Sequence, residues 1–272
     1  MLVAKLGEQR VEAVEATKGP AYHCPECSGE LILKQGRIVV AHFAHRPPTD
    51  CGWSRGETVA HMAAKRVTAQ SIRERGQRAE LEFVIAGLAG DRRADVAAWS
   101  PSGRLVALEL QHTPIGLPEI ERRAFSYARA GVAQMWIPFI APSVWTNGRP
   151  MVGGWFVERY SPRPFEKWVQ GFTMKRGTWM YDPRRRAFWV GTMADHMLHH
   201  EGSNWYDSGG EEQYSDSYER QSKRYRELTL IGPYEPGDLL IKVTMRRAYH
   251  VRDYSWPAGP FAEFVAARST TL

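Results

Sequence analysis

The sequence predicts an α/β protein: a mixed sheet flanked by helices, with a metal-binding β segment in front and an α+β extension behind. Three observations carry this. Between residues 55 and 140, β-compatible runs alternate with two amphipathic helical stretches, the pattern of strands covered by helices. All three cysteines lie between positions 24 and 51, which confines any metal or thiol chemistry of that kind to one segment. A hairpin near the middle of the chain sets two acids against each other. The expected units are 1–54, 55–150 and 151–272.

Composition narrows the class. The 272 residues are 43% hydrophobic and 24% charged, as in soluble globular proteins. No apolar run reaches the roughly 18 residues of a membrane span, and MLVAKLGEQR lacks the apolar stretch of a signal peptide, so a cytosolic protein without a membrane partner is expected. The formal net charge of +6 permits a polyanionic partner.

Residues 1–40 read as short strands: Gly7 to Ala16 with a leading turn, Tyr22, then Leu31 to Lys34 and Arg37 to Val40 around Gln35-Gly36. Between them Cys24-Pro25-Glu26-Cys27 forms a knuckle, followed by His42-Phe43-Ala44-His45 and Cys51. Tetrahedral Zn²⁺ takes four N or S ligands, and a CxxC turn supplies two thiolates from one loop. A structural Zn²⁺ site from four of Cys24, Cys27, His42, His45 and Cys51 is expected, with a loop of free thiols as the alternative. A closed four-ligand shell leaves no position for substrate.

A helix follows from about Arg55 to Glu74, with Glu57, His61, Lys65 and Thr68 on one stripe. Such a stripe is commonly a solvated face, and it matters only if it points at the hairpin. Ala79 to Ile85 reads as a strand carrying Glu80 and Glu82, and a loop from Ala86 to Asp91 leads on.

The hairpin is Arg92 to Gln111. Arg93 to Trp99 and Arg104 to Gln111 are joined by Ser100-Pro101-Ser102-Gly103, the signature of a type I turn closed by a left-handed glycine. Counting back from that turn sets Asp95 opposite Glu109 and Arg93 opposite Gln111. Opposed like charges about 5 Å apart repel, so a fold keeps them for a reason. Two carboxylates beside an amide make a Mg²⁺ site, since hard cations take oxygen ligands. In another register, one acid would simply face solvent. A second helix, Pro118 to Ala130, and a buried strand, Gln134 to Ile140, complete this part.

The order of these pieces resembles the competence protein CoiA-like family, whose nuclease part belongs to the PD-(D/E)XK superfamily. The matching residues are Cys24-Pro25-Glu26-Cys27, His42-Phe43-Ala44-His45, Glu57 with His61 and Lys65, Leu81-Glu82, Arg93-Ala94-Asp95-Val96, Glu109-Leu110-Gln111, Arg123 with Tyr127, and Trp136-Ile137, over roughly residues 1–140. The resemblance implies a restriction-endonuclease-like core, α-β-β-β-α-β, behind a zinc-ribbon-like segment. It implies Asp95 and Glu109 as the acids for Mg²⁺ or Mn²⁺, Glu57 and Glu82 as assisting acids, and Gln111 where the superfamily usually has lysine. His61, Lys65 and Arg93 are then candidates for the missing cation and for contact with DNA, single-stranded DNA included.

Beyond Met151 the residues carry no chemical motif. Gly153 to Arg159 reads as a strand, Pro164 to Gly171 as a helix, and Thr178 to Tyr181 with Ala187 to Val190 as a hairpin whose Arg184 to Arg186 turn is solvated or touches phosphate. Trp155, Trp168, Trp179 and Trp189 are expected in a core. His196, His199 and His200 are expected on the surface, and 201–226 as a flexible stretch. Leu239 to Tyr249 alternates as a strand, and Pro257 to Arg268 reads as a closing helix. The expectation is a metal-dependent nuclease hydrolysing DNA phosphodiester bonds, in DNA uptake and processing or in restriction. Its rivals are a weak or inactive DNA-binding accessory of the same fold and a purely structural zinc protein.

Overall fold

The computed structural model describes residues 1–54, 57–86, 92–174 and 176–266. Five strands open it: β1 (Val3–Leu6), β2 (Gln9–Glu12), β3 (Tyr22–His23), β4 (Glu30–Lys34) and β5 (His42–His45), an antiparallel sheet in the order β2-β1-β3-β4-β5. The stretch expected from Gly7 to Ala16 with a leading turn has that turn, with Gly7 at φ 60°, but its strand, β2, ends at Glu12. β4 pairs with His42–His45 and not with Arg37–Val40. That choice buries Phe43 against Tyr22, with ring centroids 4.9 Å apart, and leaves Ile38 in solvent.

Then come α1 (Val59–Glu74), β6 (Ala79–Ile85), β7 (Arg92–Trp99), β8 (Leu105–Gln111), α2 (Leu117–Arg129) and β9 (Ala133–Pro138). Thr58 caps α1, its Oγ1 accepting the His61 N–H at 3.2 Å, so Glu57 precedes the helix. The helix start expected at Arg55 and most of the loop expected from Ala86 to Asp91 lie outside the described residues. In the hairpin turn Gly103 N donates to Ser100 O at 2.8 Å and Gly103 adopts φ 77°. The ladder runs from Trp99↔Leu105 to Val96↔Leu108, the register expected from the turn, and ends one pair short of Asp95 and Glu109.

The remaining elements are α3 (Pro142–Asn147), β10 (Arg149–Met151), β11 (Gly154–Tyr160), α4 (Pro164–Phe172), β12 (Thr178–Asp182), β13 (Ala187–His200), β14 (Ser203–Tyr206), β15 (Glu212–Ser215), β16 (Tyr218–Tyr234), β17 (Leu239–Arg246), β18 (Tyr249–Val251), β19 (Tyr254–Trp256) and β20 (Gly259–Ala266). The central sheet is mixed, β17-β20-β9-β8-β7-β6, with β9 parallel to both neighbours. Two of its strands therefore come from the region expected as an extension.

Two expectations are corrected here. The closing helix from Pro257 is strand β20, and residues 267 and 268 lie outside the described part. Phe261 packs on one face of the sheet and Ala262 and Phe264 on the other, and a short run buried on both faces has no period that separates strand from helix. Residues 201–226, expected as a flexible stretch, hold strands although most of their side chains are exposed: β14 and β15 pair with each other, and β13 and β16 pair out to His200↔Tyr218. Backbone hydrogen bonds across a ribbon do not require aliphatic side chains, which is why composition misled.

α1 covers one face of the central sheet, setting Met62, Ala69 and Ile72 on Val96, Val106, Leu108 and Leu110. α2 and α4 cover the other, where Ile120, Ala124, Tyr127 and Trp168 meet Ala107 and Trp136. Each such fully buried aliphatic side chain contributes about 1.5–3 kcal/mol. The stripe Lys65 and Thr68 is buried, so α1 does turn it toward the sheet. The second sheet, β10-β11-β16-β13-β12, joins the first where Ile140 N donates to Tyr181 O at 2.9 Å. No described helix is long and apolar enough to cross a membrane.

Candidate functional site

Asp95 sits where β7 is released by both neighbours. On one side the β6–β7 pairs skip from Leu81↔Val96 to Phe83↔Ala94, and the intervening Glu82 takes φ 49°. On the other side the β7–β8 ladder stops at Val96, and Leu110 N donates to Asp95 Oδ2 at 2.9 Å in place of a backbone partner. Asp95 thus has no paired residue on β6 or β8, and its carboxyl meets a side chain from α1.

That side chain is His61. Its Nε2 lies 3.1 Å from Asp95 Oδ2 and its Nδ1 3.2 Å from Glu57 Oε1, so one imidazole bridges two acids. Burial lowers the His61 pKa, but the charge and hydrogen bond of Asp95, with Glu57, overcome this and raise it to about 9. Burial likewise pushes Asp95 up, and the charge and hydrogen bond of His61, Lys65 and the Leu110 N–H hold it below the usual carboxylate range. Glu57 is held low in the same way, against burial, by His61 and Lys65. One ligand atom each from Glu57, His61 and Asp95 lies within 4.8 Å of the others, an arrangement able to hold a metal ion.

Glu109 is not in that group. Its carboxyl turns to α2, accepting the Tyr127 hydroxyl at 2.5 Å with Arg123 Nη1 3.6 Å away. Burial first, and the charge of Asp95 second, raise its pKa to about 7. Gln111 donates its amide to Thr113 O. Asp95, Glu57, His61, Glu109 and Gln111 line one cavity of about 350 Å³ with Thr58, Arg92, Arg93, His112, Thr113, Arg123 and Tyr127. Among the described residues, Nε and Nη2 of Arg92, Nη1 of Arg93 and Nδ1 of His112 are buried without a hydrogen-bond partner. Unpaired buried donors are costly, and at a cavity wall they point to a ligand that completes them.

Lys65 and Glu82 stand apart from this cavity. The Lys65 ammonium is fully buried, paired with Glu57 and, at 2.5 Å, with Glu82, whose other oxygen accepts Leu2 N–H at 3.0 Å. Lys65 thus holds Glu57 in place and does not reach the cavity.

The thiol cluster resolves the choice between histidines. Cys24, Cys27, Cys51 and His45 each place a ligand atom within 4.8 Å of the rest, while His42 Nδ1 faces Val40 O at 2.9 Å. Cys24 Sγ and Cys51 Sγ are 3.9 Å apart, and two Zn–S bonds of about 2.3 Å at a tetrahedral angle require about 3.8 Å. The Gly29 N–H, 3.4 Å from Cys27 Sγ, lowers the Cys27 pKa, whereas burial pushes the Cys24 thiol up to about 12 despite the Glu26 N–H at 3.4 Å, so Cys24 becomes a thiolate only with a metal bound. The residues fit structural Zn²⁺. From the same segment Trp53 stacks under the Arg93 guanidinium at 4.2 Å, tying the knuckle to the cavity.

Sequence reasoning missed Arg92, Thr58, His112 and Thr113. Arg92 was legible only as the first half of an Arg-Arg doublet entering β7, and His112 only as the neighbour of Gln111.

Comparison with known proteins covers this half of the chain. Residues 5–54 match Competence protein CoiA, N-terminal domain, and residues 57–140 match Competence protein CoiA, nuclease-like domain. The Competence protein CoiA of Bacillus subtilis (strain 168) is 26% identical over 133 residues, 48% of this chain and 34% of that protein. The matched part is therefore about a third of that relative's length. No solved structure matches the chain.

Proposed function

We propose that this chain, a member of the CoiA-like family through residues 5–140, is a metal-dependent nuclease acting on DNA phosphodiester bonds. The observation that carries the reading is the cavity itself: Glu57, His61 and Asp95 gathered in its lining together with Arg92 and Arg93 donors that have no partner among the described residues. The α-β-β-β-α-β order from α1 to β9 supports a restriction-endonuclease-like core.

Glu57, His61 and Asp95 are the residues to hold Mg²⁺ or Mn²⁺, and an imidazole between two carboxylates suits Mn²⁺ at least as well as Mg²⁺. When bound, such a cation would neutralise charge on the scissile phosphate and lower the pKa of an attacking water. His61 gives up its proton when it becomes a ligand. Arg92 and Arg93 bind the non-bridging phosphate oxygens through Nε and Nη2 of Arg92 and Nη1 of Arg93, which have no partner among the described residues. Glu109, with a pKa of about 7, is suited to accept a proton from water or return one to the leaving oxygen.

The accessory reading, a DNA-binding protein that cleaves slowly or not at all, also has an observation in its favour. No lysine lines the cavity among the described residues, and Gln111 brings no charge. Incubation of single-stranded and double-stranded DNA with Mg²⁺ or Mn²⁺, beside Asp95→Ala and Glu109→Ala, separates the two. Cleavage lost in both variants supports the nuclease, equal cleavage in all three proteins refutes it, and binding without cleavage in any favours the accessory.

A further inference from the structure

We infer that a second cavity of about 460 Å³, walled by α3, β11 and β16, holds the phosphodiester backbone of a nucleic-acid strand that continues from the cavity at Asp95.

Two ladder breaks build it. The β11–β16 register steps between Val157↔Leu228 and Tyr160↔Arg226, so Glu158 and Arg159 oppose one residue. The β13–β16 register steps between Asp195↔Arg226 and Met197↔Gln221, so residues 222–225 oppose His196 alone. Bulges re-aim side chains, and these two bring Arg159, Arg224 and Tyr225 to the same cavity. The Arg159 and Arg224 guanidinium carbons lie 4.6 and 5.2 Å from the Tyr225 ring, and Tyr225 N is anchored on Ser222 Oγ at 2.9 Å. Ser143, Asn147 and Ser161 add neutral donors, and among the described residues no carboxylate lines the cavity. Arginine with hydroxyl and amide donors is the set that contacts phosphate and sugar without reading sequence.

The two cavities are linked through a short series of contacts. Ser161 is two residues, at most about 7 Å of chain, from Arg163. Arg163 donates to Phe139 O at 3.3 Å, and the His112 ring, which lines the first cavity, packs edge-on to Phe139 with centroids 4.9 Å apart. Arg163 therefore stands between the two, and a strand uses both cavities where a mononucleotide needs one.

The test is binding of a fluorescent single-stranded oligonucleotide to the full chain over a range of salt concentrations. Arg159→Ala/Arg224→Ala is expected to weaken binding about tenfold and to reduce the salt slope by about 1.4, at roughly 0.7 per phosphate contact. Lys242→Ala/Arg247→Ala removes the same charge from exposed residues that line neither cavity and is expected to change neither quantity. Unchanged affinity and slope in the first variant overturn the inference, as does displacement of the strand by an equal concentration of inorganic phosphate or a mononucleotide. Arg159 and Arg224 are exposed, so circular dichroism should report a native fold. The inference rests on the nucleic-acid reading of the first cavity, and cleavage separates them. Absent cleavage with Arg-dependent binding intact removes the hydrolysis and leaves the second cavity standing, while cleavage with binding indifferent to both arginines does the reverse.

Discussion

Asp95 and Glu109 lie one position beyond the last β7–β8 pair, Val96↔Leu108, and their carboxyls are driven in opposite directions. Asp95 is held ionised by His61, Lys65 and the Leu110 N–H against its burial, whereas Glu109, buried and beside that charge, is raised to about 7. Two acids with separated pKa values are the usual basis for distinct roles in one site.

Glu109 makes stability fall with rising pH. A group whose folded pKa lies above its unfolded value binds more protons when folded, so its contribution is complete below about 4.5 and is lost as pH rises through about 7. Thermal melting of Glu109→Gln is expected to lack the decline that wild type shows across this window. Parallel curves for the two proteins would contradict the shift.

His61 acts in the same direction at higher pH. Its contribution is complete below about 6.5 and lost as pH rises through about 9, because the protonated ring joins Glu57 to Asp95. In protein holding zinc but no Mg²⁺ or Mn²⁺, the melting temperature is expected to drop between these values, and His61→Gln is expected to remove that drop.

Lys65 is a structural ion-pair partner. Lys65→Ala leaves Glu57 and the buried Glu82 without their cation and is expected to cost about 3–5 kcal/mol in urea unfolding. Lys65→Met/Glu82→Gln, which removes charge from both sides, is expected to recover much of the loss. A double variant no more stable than the single one would show that the pair is not what Lys65 contributes.

Zinc content distinguishes the two histidines. His45→Ala is expected to lower bound zinc well below one equivalent by mass spectrometry, and His42→Ala to leave it near one. Equal zinc in both variants would exclude His45 as the fourth ligand.

Gln111→Lys tests the missing charge. A lysine on this wall of the cavity would add electrostatic stabilisation of the kind worth about tenfold or more in rate. Faster cleavage than wild type is expected, and a variant no faster than wild type would show that Gln111 is not the limiting substitution.

Several features were readable in advance because they depend on residues close in sequence. Ser100-Pro101-Ser102-Gly103 sets its own turn, and a turn sets the register of the strands it joins. The place of Asp95 and Glu109 at the same end of the ladder follows, as does the approach of Cys24 and Cys27 within one knuckle. Composition failed at 201–226 and periodicity at β20, since neither reports a strand whose order comes from partners far along the chain.

The sequence by itself therefore determined the turns, the hairpin register and the chemical inventory of the site, because each arises within a few residues of backbone. Only the tertiary structure decided which members meet. The packing of α1 on the sheet joined Glu57 and His61 to Asp95, enclosed Lys65 and left Glu109 to Tyr127; the pairing of β4 with β5 chose His45 over His42. Those choices depend on shape complementarity between elements distant in the chain, which no local pattern encodes.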